Sequence, residues 1–220
     1  MQTIALIAQK GGTGKTTLAI SLAVAAVRDG KAALIIDLDP QASACKWGDR
    51  RNADAPLIVD AQPSRLANAL MKAEQAGVDV AIIDTPARVE QAAAEASRLA
   101  DLVLIPCKPS IYDIETVSTS FELTRGRAKR PPLVVLNAVP AHGTRHEQAA
   151  QAIRSLGLIL APAIIGNRVA FEYAAQLGQS VSEFEPDGKA ASEVQHLYMS
   201  ICRILDMSTE SEADHEHQEA

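Results

Sequence analysis

A glycine-rich loop near the start of the chain constrains the fold more than any other feature. The segment Lys10–Thr17 reads K-G-G-T-G-K-T-T and directly follows the apolar run Ile4–Ala8. Glycines let a backbone curl so that its N–H groups point at phosphate oxygens, and a helix that follows adds the positive end of its dipole. Lys15 can then reach the terminal phosphates, and the Thr16 hydroxyl can hold Mg²⁺. The order of strand, loop and helix predicts a phosphate-binding fold.

Apolar runs alternate with helical patterns along the rest of the chain. Most runs are continuous, which is typical of strands buried on both faces of a sheet. Strands are predicted at Thr3–Ala8, Ala32–Leu38, Leu57–Asp60, Val78–Asp84, Leu102–Pro106, Leu133–Ala138 and Leu158–Ile164. Helices are predicted at Lys15–Arg28, Ser64–Gln75, Val89–Leu99, Glu115–Thr124, Arg145–Leu156, Ala170–Leu177 and Ala190–Leu205. This alternation predicts an α/β fold with a doubly wound, mostly parallel β-sheet flanked by helices, whose ligands bind at the carboxyl ends of the strands.

Composition and charge indicate one domain followed by an acidic tail. Hydrophobic residues make up 47% of the chain but aromatic ones only 3%, so the core is mainly aliphatic, which suits helices on a parallel sheet. The formal net charge is −6, and residues 206–220 hold six acids with no Lys or Arg, so the body before them is neutral. We expect a single P-loop domain over residues 1–205 and a disordered acidic tail over residues 206–220.

The cysteines and the hydropathy exclude several classes of protein. Cys45, Cys107 and Cys202 are far apart and form no C-x-x-C pair, so a zinc or iron–sulfur site has little support. The chain begins directly with a predicted strand, and no apolar run approaches the roughly 18 residues of a membrane span. We therefore expect reduced thiols, a cytoplasmic location and no membrane partner.

The first lysine of the loop narrows the class of phosphate-binding protein. The ordinary pattern G-x-x-x-x-G-K-[ST] is absent, because Gln9 occupies the position of its first glycine, and Lys10 comes next. The string K-G-G-T-G-K-T-T resembles the deviant Walker A motif of the ParA/MinD family of ATPases. In that family the early lysine crosses a dimer interface to the partner's nucleotide, so the resemblance implies an ATP-sandwich homodimer with Lys10 acting in trans. A solvated loop lysine is the alternative.

The resemblance assigns the whole loop to the nucleotide. The residues that it implies for nucleotide binding are Gly11, Gly12, Thr13, Gly14, Lys15, Thr16 and Thr17. Lys10 and Lys15 would also be catalytic, because they would stabilise negative charge as it develops on the γ-phosphate. Thr16 would be a ligand of Mg²⁺.

Two acids lie at the end of the second predicted strand, in the sequence I-I-D-L-D-P-Q. Strand alternation would put Asp37 and Asp39 on one face, where two carboxylates can serve a hydrated Mg²⁺ and an attacking water. The segment resembles the switch I segment of the family. By that resemblance Asp39 positions or activates the water, and Asp37 helps to organise the water shell of the metal. A strand-end Asp-Pro turn is the structural alternative.

Polar residues follow three later strands as well. The run V-A-I-I-D-T-P-A resembles a Walker B segment, which implies that Asp84 reaches Mg²⁺ through water, although a strand-end acid can also cap a helix. The P-x-x-x-D pattern that ends at Asp113 resembles the family's fifth-strand loop, which neighbours the nucleotide, and Asp113 could equally cap the next helix. Asn137 stands where family members commonly read the adenine edge, with a turn-forming Asn as the alternative.

Basic residues suggest a surface for DNA. In ParA relatives, nonspecific DNA binding uses basic residues on the surface of the assembled dimer, and contact with phosphates needs only positive charge at suitable spacing. We expect Arg127, Arg145 and Arg168 to contact DNA. Arg127 lies in a short basic run before Pro131, and Arg168 lies in a segment that resembles the family's R-x-A-F/Y region. Such clusters are also common on solvated faces that bind nothing.

The resemblance covers roughly residues 2–205 and implies a small ParA-type ATPase without an N-terminal operator-binding domain. Its cofactors would be ATP and Mg²⁺, and its homodimer would bind double-stranded DNA nonspecifically at the nucleoid. A ParB-type centromere-binding partner would stimulate hydrolysis and release the dimer, and the function would be plasmid or chromosome segregation.

Alternatives to DNA partition stay open. A positioning ATPase for a chemosensory cluster or a carboxysome would share every motif. A MinD-like membrane ATPase predicts a basic amphipathic C-terminal helix, which this sequence lacks. An iron–sulfur reductase of the nitrogenase iron-protein type predicts paired cysteines, which are also missing. A nucleotide-binding scaffold without turnover is a further possibility, because the loop predicts binding better than hydrolysis.

Overall fold

The computed structural model describes residues 1–209, and the rest of the predicted acidic tail lies outside the described residues. The strands are β1 Gln2–Leu6, β2 Ala33–Asp37, β3 Leu57–Asp60, β4 Val80–Asp84, β5 Leu102–Cys107, β6 Leu133–Leu136 and β7 Ile159–Leu160. The helices are α1 Lys15–Arg28, α2 Ser43–Gly48, α3 Leu66–Gln75, α4 Glu90–Leu99, α5 Ile111–Thr124, α6 Arg145–Ser155, α7 Ala170–Gln176, α8 Val181–Phe184 and α9 Lys189–Leu205. Each predicted strand and helix has a counterpart, although the strand predicted at Leu158–Ile164 is reduced to Ile159–Leu160 and the helix predicted from Glu115 begins at Ile111, while α2 and α8 are additional.

The strands form one parallel sheet in the order β3-β2-β4-β1-β5-β6-β7. This confirms the predicted doubly wound α/β fold. In register, Asp84 of β4 lies beside Asp37 of β2 on one side and Leu6 of β1 on the other. Because all strands are parallel, the phosphate loop and the predicted acids follow strands that end at the same edge of the sheet.

Two apolar layers cover the sheet, because alternate strand residues point to opposite faces. Leu6 packs in a layer with Leu18 of α1 and Leu197 of α9, and this layer also includes residues of α2, α7 and α8. Ala5 packs on the other face with Leu70 of α3, together with residues of α4, α5 and α6. The loop at the carboxyl end of β1 is therefore held by a strand buried on both faces.

Helix α9 docks on the core, as its apolar stripe predicts. The stripe residues are at most 2% exposed, and they are Val194, Leu197, Tyr198, Ile201 and Leu205. None of the helices within residues 1–209 has the length and hydropathy to cross a membrane. The chain stays against the body past α9, where Asp206 pairs with Arg130 at 3.1 Å and Thr209 is 3% exposed.

Candidate nucleotide-binding site

The phosphate loop has the left-handed backbone that its glycines allow. Gly12 and Gly14 have φ angles of 71° and 94°, and Gly14 is the N-cap of α1. A Cβ atom at Gly14 would lie 2.1 Å from the Nδ2 atom of Asn137. That same Nδ2 atom donates a hydrogen bond to the carbonyl oxygen of Thr13 at 2.6 Å. Asn137 thus holds the loop in place, and its contact with adenine stays a prediction.

Lys15 begins α1 and is buried inside the loop. Its Nζ donates to the carbonyl oxygen of Ala8 at 3.3 Å. Burial lowers the pKa of Lys15, while the nearby charges of Asp84 and Asp39 act in the opposite direction. A buried ammonium is costly unless a negative charge lies beside it. A phosphate bound at this helix N-terminus would supply that charge.

Asp84 is the strongest evidence for a cation in this site. The residue is 1% exposed, and neither carboxylate oxygen has a hydrogen-bond partner within residues 1–209. Burial raises the pKa of Asp84 to about 7, and interaction with the Thr16 hydroxyl offsets part of this increase. A buried carboxylate without a partner is costly unless a ligand compensates it.

The donor set of this site fits Mg²⁺ in the presence of a nucleotide. Mg²⁺ typically takes one or two protein oxygen ligands, with phosphates and water completing the octahedron. Thr16 and Asp84 supply such oxygens beside the phosphate loop. The described part of the chain holds no cluster of three or more His, Cys, Asp or Glu side chains that could bind a metal by itself. The Thr16 and Asp84 oxygens, placed beside the phosphate loop, suit a cation that is also bound by phosphate.

The two acids at the end of β2 differ in their surroundings. The prediction that Asp37 and Asp39 share a strand face is wrong, because β2 ends at Asp37 and Asp39 lies in the following turn. The Oδ2 atom of Asp37 accepts hydrogen bonds from the backbone N–H groups of Ala44 at 2.9 Å and Cys45 at 3.3 Å. Asp37 therefore caps the start of α2 from outside the helix, and its role in the water shell of a metal stays a prediction.

Asp39 is half-buried and close to the charged centre of the site. Its Oδ1 atom accepts from the backbone N–H of Gln41 at 2.9 Å, and its backbone N–H donates to Asp37 at 3.0 Å. Its charge acts on both Lys15 and Asp84. A carboxylate in this position can contact a water near the phosphates, which is the role predicted for it.

Lys10 and Asp113 form an ion pair at the edge of the loop. The Nζ of Lys10 lies 2.8 Å from the Oδ2 of Asp113, and the two side chains are 37% and 5% exposed. The Ser110 hydroxyl donates to the same Asp113 oxygen. The Ser110 Oγ also accepts from the backbone N–H of Asp113 at 3.2 Å, so Ser110 is the cap of α5 and Asp113 is not. The action of Lys10 on a partner's nucleotide stays a prediction.

The structure does not bring the three predicted DNA-binding arginines together. Arg168 is held by Glu193, with its Nε 3.0 Å from a carboxylate oxygen, and this hydrogen bond raises the pKa of Arg168. Arg145 is exposed at the first residue of α6, at the carboxyl edge of the sheet. Arg127 follows α5 and lies at the opposite edge, because α5 returns the chain to the start of β6. Arg127 and Arg145 therefore cannot form one continuous surface within a single chain.

Ser110 and Thr85 are polar residues near the site that sequence reasoning missed. The Thr85 hydroxyl donates to the carbonyl oxygen of Leu6 at 2.7 Å and ties the ends of β4 and β1 together. The pattern S-x-x-D, with Asp113 at its end, is a helix-start signature that could have revealed Ser110. Nothing comparable in the sequence points to the contact of Thr85, because it depends on strand order.

Comparison with known proteins identifies related sequences over most of the chain. A family model described as the CobQ/CobB/MinD/ParA nucleotide binding domain matches residues 4–181. The chain is 33% identical over 211 residues to the "Maintenance of carboxysome distribution protein A" of Gloeobacter kilaueensis, which covers 92% of this chain and 93% of that protein. The protein of the same name from Halothiobacillus neapolitanus is 26% identical over 200 residues, covering 87% and 91%.

A solved structure has the same fold. The septum site-determining protein MinD from Pyrococcus horikoshii, complexed with Mg-ADP, superposes with a TM-score of 0.72. The match covers 93% of this chain and 97% of that chain, at 20% sequence identity. At this identity the match establishes the fold.

Proposed function

We propose that this chain, which belongs to the CobQ/CobB/MinD/ParA nucleotide-binding domain family, is a Mg²⁺-dependent ATPase that positions a protein cargo. The carboxysome is the first cargo to test. The choice of the carboxysome as cargo depends on the 33% identity to a carboxysome distribution protein. Because that match spans 92% of this chain and 93% of the relative, it extends well beyond the phosphate loop. The carboxysome alternative is therefore better supported than DNA partition.

The site residues have the following roles in this proposal. Lys15, with Lys10 from the opposite subunit, stabilises negative charge on the phosphates. Asp39 holds the attacking water. Thr16 and Asp84 hold Mg²⁺, which neutralises phosphate charge when it is bound. The Asp84 oxygens have no hydrogen-bond partner in the part of the chain that the structure describes, which supports the last assignment.

ATP joins two copies face to face in this proposal. The partial exposure of Lys10 supports it, since its side chain is 37% exposed beside the loop even while it pairs with Asp113. Sedimentation of the purified chain with Mg²⁺ and ADP, ATP or a slowly hydrolysed analogue tests it. We expect dimers with ATP and the analogue, and monomers with ADP. Monomers under saturating analogue would overturn the dimer, while phosphate release measured in the same samples would still report on the ATPase.

DNA partition is the second candidate, and membership in a family that includes ParA favours it. In that case the dimer binds nonspecific duplex DNA, a ParB-type partner stimulates hydrolysis, and the protein associates with the nucleoid. Two genetic assays separate the candidates. A cargo-positioning protein restores even spacing of carboxysomes in a host that lacks its own distribution protein. A partition protein instead restores retention of a low-copy plasmid that lacks its own ATPase.

A further inference from the structure

Arg88 lies in the loop that joins the buried Asp84 to α4, and its backbone is left-handed, with a φ of 60°. Residues with a Cβ atom are disfavoured in this region, whereas glycine occupies it readily. Residues that are held in such a conformation cluster at functional sites. An arginine here carries a conformational cost that glycine would avoid, which indicates a function for its side chain.

The loop that carries Arg88 leaves the protein body within a few residues. Thr85 is buried, and its hydroxyl donates to the carbonyl oxygen of Leu6 at the end of β1. Pro86 is also buried, whereas Arg88, two residues further on, is exposed. Strand β4 is a direct neighbour of β1, which carries the phosphate loop. Arg88 therefore reaches the surface at the carboxyl edge of the sheet, on the β4 side of the phosphate loop.

The charge of Arg88 is not neutralised within its own chain. Arg88 forms no ion pair with any acid within residues 1–209. The oxygens of Asp84, four residues earlier, have no hydrogen-bond partner there either. A guanidinium directed into its own site would meet this buried carboxylate, because opposite charges attract strongly where water is excluded. The side chain of Arg88 is therefore available to a group outside its own site.

The nucleotide site has an excess of negative charge that a further cation would offset. Three carboxylates interact electrostatically beside a single buried ammonium, and these four groups belong to Asp37, Asp39, Asp84 and Lys15. Bound Mg-ATP would add negative charge, and Lys10 already pairs with Asp113. A guanidinium suits such a site because its planar N–H donors match two phosphate oxygens.

Exposed apolar side chains lie on both sides of the phosphate loop at the same edge of the sheet. Val89, next to Arg88, is 40% exposed, and Ile111 and Tyr112 at the start of α5 are 63% and 70% exposed. Helix α5 follows β5, which is the other neighbour of β1. Apolar surface on both sides of a polar site is typical of an edge that another molecule covers.

We propose that Arg88 of each subunit contacts the γ-phosphate of the ATP that is bound in the partner's site. This contact rests on the ATP-joined dimer of the proposed function and adds a residue to it. When two copies meet face to face at the carboxyl edges of their sheets, the loop after β4 of one copy lies against the site of the other. The contact joins the subunits while the γ-phosphate is present, and its positive charge stabilises the negative charge of the phosphate oxygens during hydrolysis.

Melting temperatures without nucleotide test whether Arg88 is kept at a cost to the folded subunit. Arg88→Gly and Arg88→Ala both lack the guanidinium, but only glycine relieves the left-handed backbone. We expect the glycine variant to melt about 2 °C above the alanine variant, and the alanine variant to melt like the natural chain. A large drop for the alanine variant would show that the guanidinium stabilises its own subunit. That result, or no gain from glycine, would overturn the inference.

Sedimentation with Mg²⁺ and a slowly hydrolysed ATP analogue tests the contact without turnover. We expect Arg88→Ala to weaken the dimer about 100-fold, because two charged contacts are lost in each dimer. Arg154→Ala is the control, since it removes an exposed arginine from the last turn of α6 at the opposite edge of the sheet, and it should dimerise like the natural chain.

The same measurement separates failure of the contact from failure of the dimer. If Arg88→Ala dimerises as tightly as the natural chain, the contact is wrong and the proposed dimer stands. If the natural chain itself stays monomeric with the analogue, the proposed dimer is wrong and the contact fails with it.

Mixed dimers show in which subunit Arg88 acts. Arg88→Ala and Asp39→Ala chains should each release phosphate about 100-fold more slowly than the natural chain. In a mixed dimer, the site of the Arg88→Ala subunit keeps its own Asp39 and receives Arg88 from the other subunit, so one of the two sites is complete. Mixing the chains before ATP is added should therefore raise phosphate release well above that of either chain alone. If Arg88 acted in its own subunit, both sites would stay incomplete, so a mixture that remains slow would overturn the proposal.

Discussion

The phosphate loop and the three predicted DNA-binding arginines differ in whether the fold places their residues together. The loop residues lie together at one edge of the sheet, beside the buried Asp84. Arg127 lies at the opposite edge of the sheet from Arg145, and Arg168 is already paired with Glu193. The loop is one continuous stretch of chain, so residues that are adjacent in its sequence are also adjacent in the structure. A charged surface is assembled from distant segments, so counting its residues does not show which charges are free.

The largest expected effect is at the centre of the loop. Lys15→Ala removes the buried ammonium, and we expect nucleotide affinity to fall by about 100-fold with loss of ATP hydrolysis. Isothermal titration calorimetry with ATP measures it. Lys189→Ala, which removes an exposed lysine at the start of α9, should bind ATP as the natural chain does. Unchanged affinity in the Lys15 variant would mean that this lysine does not contact phosphate.

The next largest effect is on the rate of ATP hydrolysis, with ATP affinity unchanged. Asp39→Ala should slow phosphate release by about 100-fold while ATP affinity is kept, and it should leave a dimer locked with ATP that still holds any DNA it binds. Asp39→Asn is the matched control for the turn, since an amide oxygen can still accept from Gln41. We expect it to be equally slow. Hydrolysis at the natural rate in both variants would remove Asp39 from the catalytic residues.

A smaller effect distinguishes the exposed Arg145 from Arg168, which is paired with Glu193. If the dimer binds DNA, Arg145→Gln should reduce the slope of log affinity against log salt by about 0.9, which corresponds to one lost phosphate contact. Arg168→Gln should change the slope less, because Glu193 neutralises Arg168. Fluorescence anisotropy with a duplex at several salt concentrations gives both slopes. A larger change for Arg168 would reverse the ranking, and no change for either would exclude both from the DNA surface.

The smallest effect is a pH dependence at the Arg168–Glu193 pair. Burial alone would raise the pKa of Glu193, but hydrogen bonds from Arg168 and from the backbone of Gly166 lower it overall. The unfolded state therefore binds this proton at a higher pH than the folded state does. The stabilisation from the pair is complete above the ordinary glutamate pKa and is lost as the pH falls through the lowered value.

Urea unfolding between pH 6 and pH 3 tests this dependence. Glu193→Gln should be less stable than the natural chain by up to about 1 kcal/mol at pH 6, because the pair is partly exposed. The difference should shrink as the pH falls. A constant difference at all pH values would show that the ionisation of Glu193 contributes nothing to stability.

The two helices that were not predicted differ in whether the sequence signals their start. Helix α2 begins after Ala42, whose left-handed backbone (φ of 51°) and apolar side chain give no start signal. Its first amides are satisfied by Asp37, a residue of the preceding strand. Helix α8 did carry a local signal, because Ser180 and Glu183 form an S-x-x-E pattern and the Glu183 carboxylate accepts from the backbone N–H of Ser180 at 2.9 Å.

Local sequence patterns were enough to predict the seven strands and seven of the helices in their order along the chain, the phosphate loop and its resemblance to the ParA/MinD ATPases. Each of these depends on neighbours within a few residues or on the period of apolar side chains. The folded structure was needed to show that Asn137 holds Thr13, that Asp37 caps α2, that Glu193 neutralises Arg168 and that the Asp84 oxygens have no hydrogen-bond partner within residues 1–209. These contacts join residues that are distant in the chain, and strand order together with burial decides which of them meet.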